Sequence, residues 1–237
     1  MKGEIARMKT CHHFLMALGM IGVFAIMNVD GMAYANSIGG TGSSCGSCQG
    51  AIYTLSYDGS PISMNSMAGT ETFRITLDID TGGLMLGSDV FIDAVAIKVS
   101  PSVEEPSSLF AAPGGTGDWS IMSGGINASG CSGHGGGFSC AEFNFIMGSG
   151  VVGVATGGTL SWTFDQTIAM GSLFTGLGEA SIKARYVEKD ELGGPKKVGH
   201  LVSENITLMN PVPEPSTLLL LGSGLVGLGL WRWKKSA

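Results

Sequence analysis

The stretch TFRITLDI, Thr72–Ile79, alternates without a break: Phe73, Ile75, Leu77 and Ile79 fall on one side, and Thr72, Arg74, Thr76 and Asp78 on the other. A side-chain period of two is what a half-buried strand needs, and a helix cannot gather that apolar set on one face. Similar short runs recur at Ala51–Tyr57, Val90–Val99, Asp118–Met122, Gly137–Ile146, Thr159–Phe164, Ala180–Glu188 and Val198–Leu208. Val90–Val99 (VFIDAVAIKV) is nearly apolar on both sides, as expected of a central strand. The runs are separated by Gly, Ser, Pro and Asp, residues that turn the chain. No sustained helical spacing of apolar residues occurs between the two terminal greasy segments. The expectation is an all-β domain over residues 50–210, an antiparallel β-sandwich of jelly-roll-like design, with no internal repeat. Residues 36–49 read as a Gly/Ser/Cys-rich linker ahead of it. Ser100–Gly117, rich in Pro and Gly, reads as a long surface loop.

Positive charge collects at the two ends of the chain. Between Asn36 and Asn210 there are sixteen acidic and seven basic residues, which leaves no basic stripe for a phosphate backbone and excludes nucleic acid as a partner. Lys2, Arg7 and Lys9 precede the uncharged apolar run Phe14–Met27, which has the length of a signal-peptide core rather than of a membrane span. Ala33 and Ala35 then occupy small-x-small positions. Residues 1–35 are therefore expected to form a signal helix, cut by signal peptidase between Ala35 and Asn36.

The other end reads VPEPSTLLLLGSGLVGLGLWRWKK, Val212–Lys235. Its apolar run, with Trp231 and Trp233 as interfacial anchors, is expected to form a short transmembrane helix over about residues 217–233. Arg232, Lys234 and Lys235 form a basic stop flank that keeps the C-terminus cytoplasmic. Pro213 and Pro215 hold the chain just outside the membrane extended, a shape a protease can bind. Val212, Pro213, Glu214 and Pro215, the apolar run and the basic end, over residues 211–237, resemble the PEP-CTERM sorting signal of Gram-negative bacteria. The same tail is also labelled an ice-binding protein C-terminal domain. The resemblance implies an exosortase-type processing enzyme as partner, the inner membrane as a transient anchor, and a final place at the cell surface or in an exopolysaccharide biofilm matrix. More weakly, CQGAIYTLSY, AVAIKV, the glycine-rich cysteine loop and ASIKARYV resemble exported domains found ahead of this tail, which implies no particular activity.

Cys11 lies in the signal segment, so an exported chain keeps Cys45, Cys48, Cys131 and Cys140 in an oxidising compartment. Cys131 and Cys140 bracket a flexible loop and are expected to pair; Cys45 and Cys48 either close their own small loop or pair across with the other two. Together with His134 these residues include the ligand types of a metal site, but exported thiols oxidise, and neither metal nor cofactor is expected. The formal G-x-S-x-G at Gly42–Gly46 and G-x-G-x-x-G at Gly148–Gly153 lack the strand–turn–helix setting their chemistry requires. Asp78 and Asp80 offer oxygens to calcium but without a full loop pattern. His134 and His200 have no neighbouring nucleophile. Trp162 alternates with Leu160 and Phe164 as a core residue would, whereas Trp119 is a candidate carbohydrate contact. No flat, regularly spaced threonine array of the ice-binding kind is visible. The expectation is an exported, non-catalytic envelope or matrix protein with a structural or polysaccharide-binding β-domain. The alternative is a secreted carbohydrate-active enzyme with catalytic carboxylates on a jelly-roll scaffold.

Overall fold

The computed structural model describes residues 34–40, 45–101, 103, 107–174 and 180–206. The expected signal helix, transmembrane helix and sorting residues lie outside the described residues. Fourteen strands follow in order: β1 Tyr34–Gly39, β2 Ile52–Tyr57, β3 Ser63–Asn65, β4 Thr70–Asp80, β5 Phe91–Lys98, β6 Ser108–Ala111, β7 Trp119–Ser123, β8 Gly125–Asn127, β9 Gly130–Gly133, β10 Ser139–Phe143, β11 Val154–Ala155, β12 Thr159–Ala169, β13 Ala180–Lys189 and β14 Pro195–Ile206. All their pairings are antiparallel.

The first sheet runs β1-β2-β4-β12-β6, with β3 also on β4; the second runs β14-β13-β5-β10-β7, with β11 also on β5. The alternation seen at Thr72–Ile79 is what the structure uses: along β4 every second side chain is buried. Tyr53, Leu55, Ile75, Leu77, Ile79, Trp162 and Phe164 from the first sheet share one core with Val95, Ile97, Ile182, Ala184, Tyr186 and Val202 from the second. The two sheets meet across it, the Tyr53 and Tyr186 hydroxyls lying 2.6 Å apart. Burial pushes the Tyr53 phenol well above its ordinary range and that of Tyr186 up to about 12.

β5 is buried on both sides, as its composition requires. Its second side, Ala94 and Ala96, packs with Ile126 and Cys131 from a small β8–β9 hairpin laid on the outside of the second sheet, with Phe138 just ahead of β10, and with Cys140 of β10 itself. Two expected loops contain strands. Part of the Ser100–Gly117 segment forms the edge strand β6 and a 3₁₀ turn at Thr116–Asp118. The 36–49 linker begins inside β1, which starts at Tyr34 and therefore holds both Ala35 and Asn36. A chain cut at the expected site would keep the pairings Asn36↔Leu55, Ser37↔Thr54, Ile38↔Tyr53 and Gly39↔Ile52.

The open edge of β14 is covered without a strand. Gln49 donates its Nε2 to the His200 carbonyl at 3.0 Å and accepts the His200 amide at 2.9 Å, so one side-chain amide takes the place of a ladder partner. Ser47 binds Glu204 beside it. Cys45 and Cys48, paired with Cα atoms 5.5 Å apart, close the loop that presents both residues. Capping an edge in this way blocks pairing with another chain.

Candidate functional site

The polar residues of Thr72–Ile79 acquire meaning from the partner strand. On the outside of the first sheet Thr72 faces Thr167, Arg74 faces Asp165, Thr76 faces Thr163 and Asp78 faces Ser161. The hydroxyl pairs lie 2.9 Å apart for Thr72–Thr167 and 3.1 Å for Thr76–Thr163, and Ser161 donates to Asp78. Ser37 and Thr54 extend the row to β1, at 2.7 Å. A ladder of hydroxyls in register thus crosses β1, β2, β4 and β12, although neither run shows an array by itself.

The ladder is interrupted at one place. Arg74 donates from Nε and from an Nη to the two oxygens of Asp165, both at 2.8 Å, a fork-on-fork pair that raises the guanidinium pKa further. Its Cζ sits 3.4 Å from the ring centre of Phe110. The register of β12 against β6 slips at this point, Thr163 facing Ala111 and Phe164 facing Leu109, so that Phe110 is an extra residue on β6. The bulge leaves its ring on the outside, 57% exposed. Sequence reasoning missed Phe110 because it lay in a segment read as loop.

Trp119 is not on this surface. It is 6% exposed, packs edge-to-face on Trp162 and Phe143, and donates its Nε1 to the Pro113 carbonyl at 2.9 Å. With both ring faces inside the core it cannot stack on a sugar, which corrects the expected carbohydrate contact.

A second polar cluster is buried under the β8–β9 hairpin. β5 and β13 slip register between Arg185 and Tyr186, which leaves Asp93 as an extra residue on β5. Arg185 pairs with Asp93 through Nε (2.8 Å) and Nη2, reaches Glu142 at 3.5 Å, and donates to the Ala128 carbonyl at 3.1 Å. Glu142 accepts the Cys131 amide at 3.2 Å. Gly130, at φ 120°, allows this approach, since a Cβ there would collide with the Glu142 carboxylate. Burial pushes the Asp93 carboxyl up, and the Arg185 pair opposes that shift. The cluster ties the hairpin down through the Ala128 carbonyl and the Cys131 amide. Cys131 and Cys140 are joined beside it, Cα atoms 5.7 Å apart, as expected.

The other candidates are separated in space. Asp80 accepts the Gly82 amide at 2.9 Å as a turn cap, and His134 and His200 are exposed on different segments. Among the described residues no three His, Cys, Asp or Glu side chains converge as metal ligands. An open recess of about 310 Å³ is lined by Ser88, Asp89, Phe91, Glu188 and Lys189, with Glu188 engaged by Lys196 at 3.2 Å.

No curated protein and no solved structure matches the chain. Residues 211–235, which contain Val212, Pro213, Glu214, Pro215 and the basic flank, match the family described as the PEP-CTERM protein-sorting motif. That motif implies an exosortase-type processing partner and transit through a membrane-anchored state in a Gram-negative bacterium. The chain thus carries a β-domain followed by a PEP-CTERM sorting motif, and the motif implies export.

Proposed function

We propose that the protein is a non-catalytic component of the cell surface or extracellular matrix, and that its jelly-roll-like domain binds exopolysaccharide with the outer face of the first sheet. The observation that carries this reading is the exposed Phe110 ring resting on the Arg74–Asp165 pair, between hydroxyl pairs of the ladder. A pyranose presents an apolar C–H face and a rim of hydroxyls. A solvent-facing ring meets the first, and Thr, Ser, Asp and Arg side chains meet the second. The charged pair and the bulged ring also break the flatness that an ice lattice would demand.

The test is binding of the full-length protein to a panel of bacterial exopolysaccharides. Phe110→Ala and Arg74→Gln should each lower affinity about tenfold or more, the usual effect of removing a central contact, with the thermal midpoint little changed. Binding that survives both changes would remove the face from consideration. The enzyme alternative would place its carboxylates at Asp89 and Glu188 in the open recess. Product analysis on the same polysaccharides separates the two: release of oligosaccharide that is abolished by Glu188→Gln would establish the enzyme.

A further inference from the structure

The pairings locate one end of the sandwich. Ala169 faces Thr70, Ala180 faces Ile206, Ser181 faces Lys98, and the Phe174 amide binds the Val99 carbonyl at 2.7 Å. The last described residue, Ile206, is therefore at the same end as the β3–β4 turn and the turn that follows β12. Those two turns are joined: the Met170 amide donates to the Gly69 carbonyl at 2.8 Å. Between them they expose Ile62 (47%), Met64 (60%), Met67 (100%) and Met170 (43%). Residues 59–70 and 166–174 contain no charged side chain. The opposite end also exposes apolar residues, Ile146, Met147 and Leu192, but there Glu188, Asp190, Glu191 and Lys196 surround the hairpin between β13 and β14.

We propose that this end, through its two methionine-bearing turns, docks on the periplasmic leaflet of the inner membrane while the sorting tail anchors the chain. The inference rests on the anchored reading of the tail. Eleven residues, Thr207–Thr217, separate Ile206 from the apolar run that begins at Leu218. Fully extended they reach at most about 40 Å. The twelve-residue strand β14 is itself about 40 Å long. The tether therefore holds the Ile206 end toward the bilayer and leaves the charged end facing the periplasm. A patch held so close needs little affinity of its own, because its effective concentration at the surface is in the millimolar range. Apolar side chains at a turn tip gain by leaving water for the acyl boundary. Neither turn segment carries a lysine or an arginine, so apolar insertion rather than attraction to anionic headgroups supplies the contact. With this end down, the hydroxyl ladder and Phe110 stand along the side of the domain, open to polysaccharide.

The experiment is hydrogen exchange on full-length protein in nanodiscs of phosphatidylethanolamine with and without phosphatidylglycerol, against the same protein in detergent. Residues 62–69 and 170–174 should exchange about tenfold more slowly in nanodiscs of either composition, while 144–151 and 190–194 stay unchanged. The quadruple variant Ile62→Ser, Met64→Ser, Met67→Ser, Met170→Ser should lose the protection yet remain on the nanodisc. A tail that holds the nanodisc with unprotected turns overturns the docking and leaves the anchor standing. A chain that leaves the nanodisc overturns both. Protection that appears equally in detergent and grows with protein concentration assigns the patch to a second copy and overturns the membrane contact.

Discussion

At Arg185 one guanidinium answers Asp93, Glu142 and the Ala128 carbonyl at once. Such a site is costly to desolvate, and its worth shows when one member is removed. Arg185→Met should cost about 3–5 kcal/mol in urea denaturation, because Asp93 is left charged in a place water does not reach. Adding Asp93→Leu should recover much of that loss, since the remaining Glu142 is the more exposed carboxylate and keeps its bond to the Cys131 amide. A loss under about 1 kcal/mol for Arg185→Met would mean the cluster holds nothing down. In the sequence, Arg185 sits beside Lys183 on the polar side of an alternating run, and nothing marks it as buried. The reason is the bulge at Asp93, which comes from how β13 pairs with β5.

The strands themselves were legible wherever burial is one-sided or complete, as in β4 and β5, because the alternation of side chains is a local property. β6 was not, because its four residues lie between Pro- and Gly-rich flanks and are strand-like only by pairing with β12. For the same reason the candidate face was half legible: Thr72, Arg74, Thr76 and Asp78 were visible as a polar side, while the partners Thr163, Asp165 and Thr167 had to be brought opposite by register. The β8–β9 hairpin is the other element that depends on nonlocal ties. Its cover over Ala94 and Ala96 relies on Ile126, Phe138 and the Cys131–Cys140 bridge rather than on a long ladder. Cys131→Ser with Cys140→Ser should cost about 2–3 kcal/mol for a loop of this size in the chain-entropy description. Amide exchange should quicken in 125–138 first, while β4 and β12 hold until global unfolding. Simultaneous loss of protection in both regions would show that the hairpin is part of the main cooperative unit.

For the molecule as a whole, the domain and its tail are separable problems. The last strand ends at Ile206, five residues before the sorting motif begins at 211, so changes in the motif leave every described contact in place. Pro213 and Pro215 are expected to keep the residues ahead of the apolar run from joining a helix, because proline lacks the amide hydrogen and blocks the turn before it. With Pro213→Ala and Pro215→Ala, a helix can grow back from Leu218 through the recognition segment, alanine being the residue that favours it most. In a host with an exosortase, this double variant should remain full length in the inner membrane, while the wild type is trimmed and leaves it. The thermal midpoint of the β-domain should be the same in both, which separates a processing defect from a folding one. Mass spectrometry of the membrane and cell-surface fractions gives the answer. If the double variant reaches the surface trimmed like the wild type, the prolines do not hold the recognition segment, and residues 211–235 act on this chain as a membrane anchor alone.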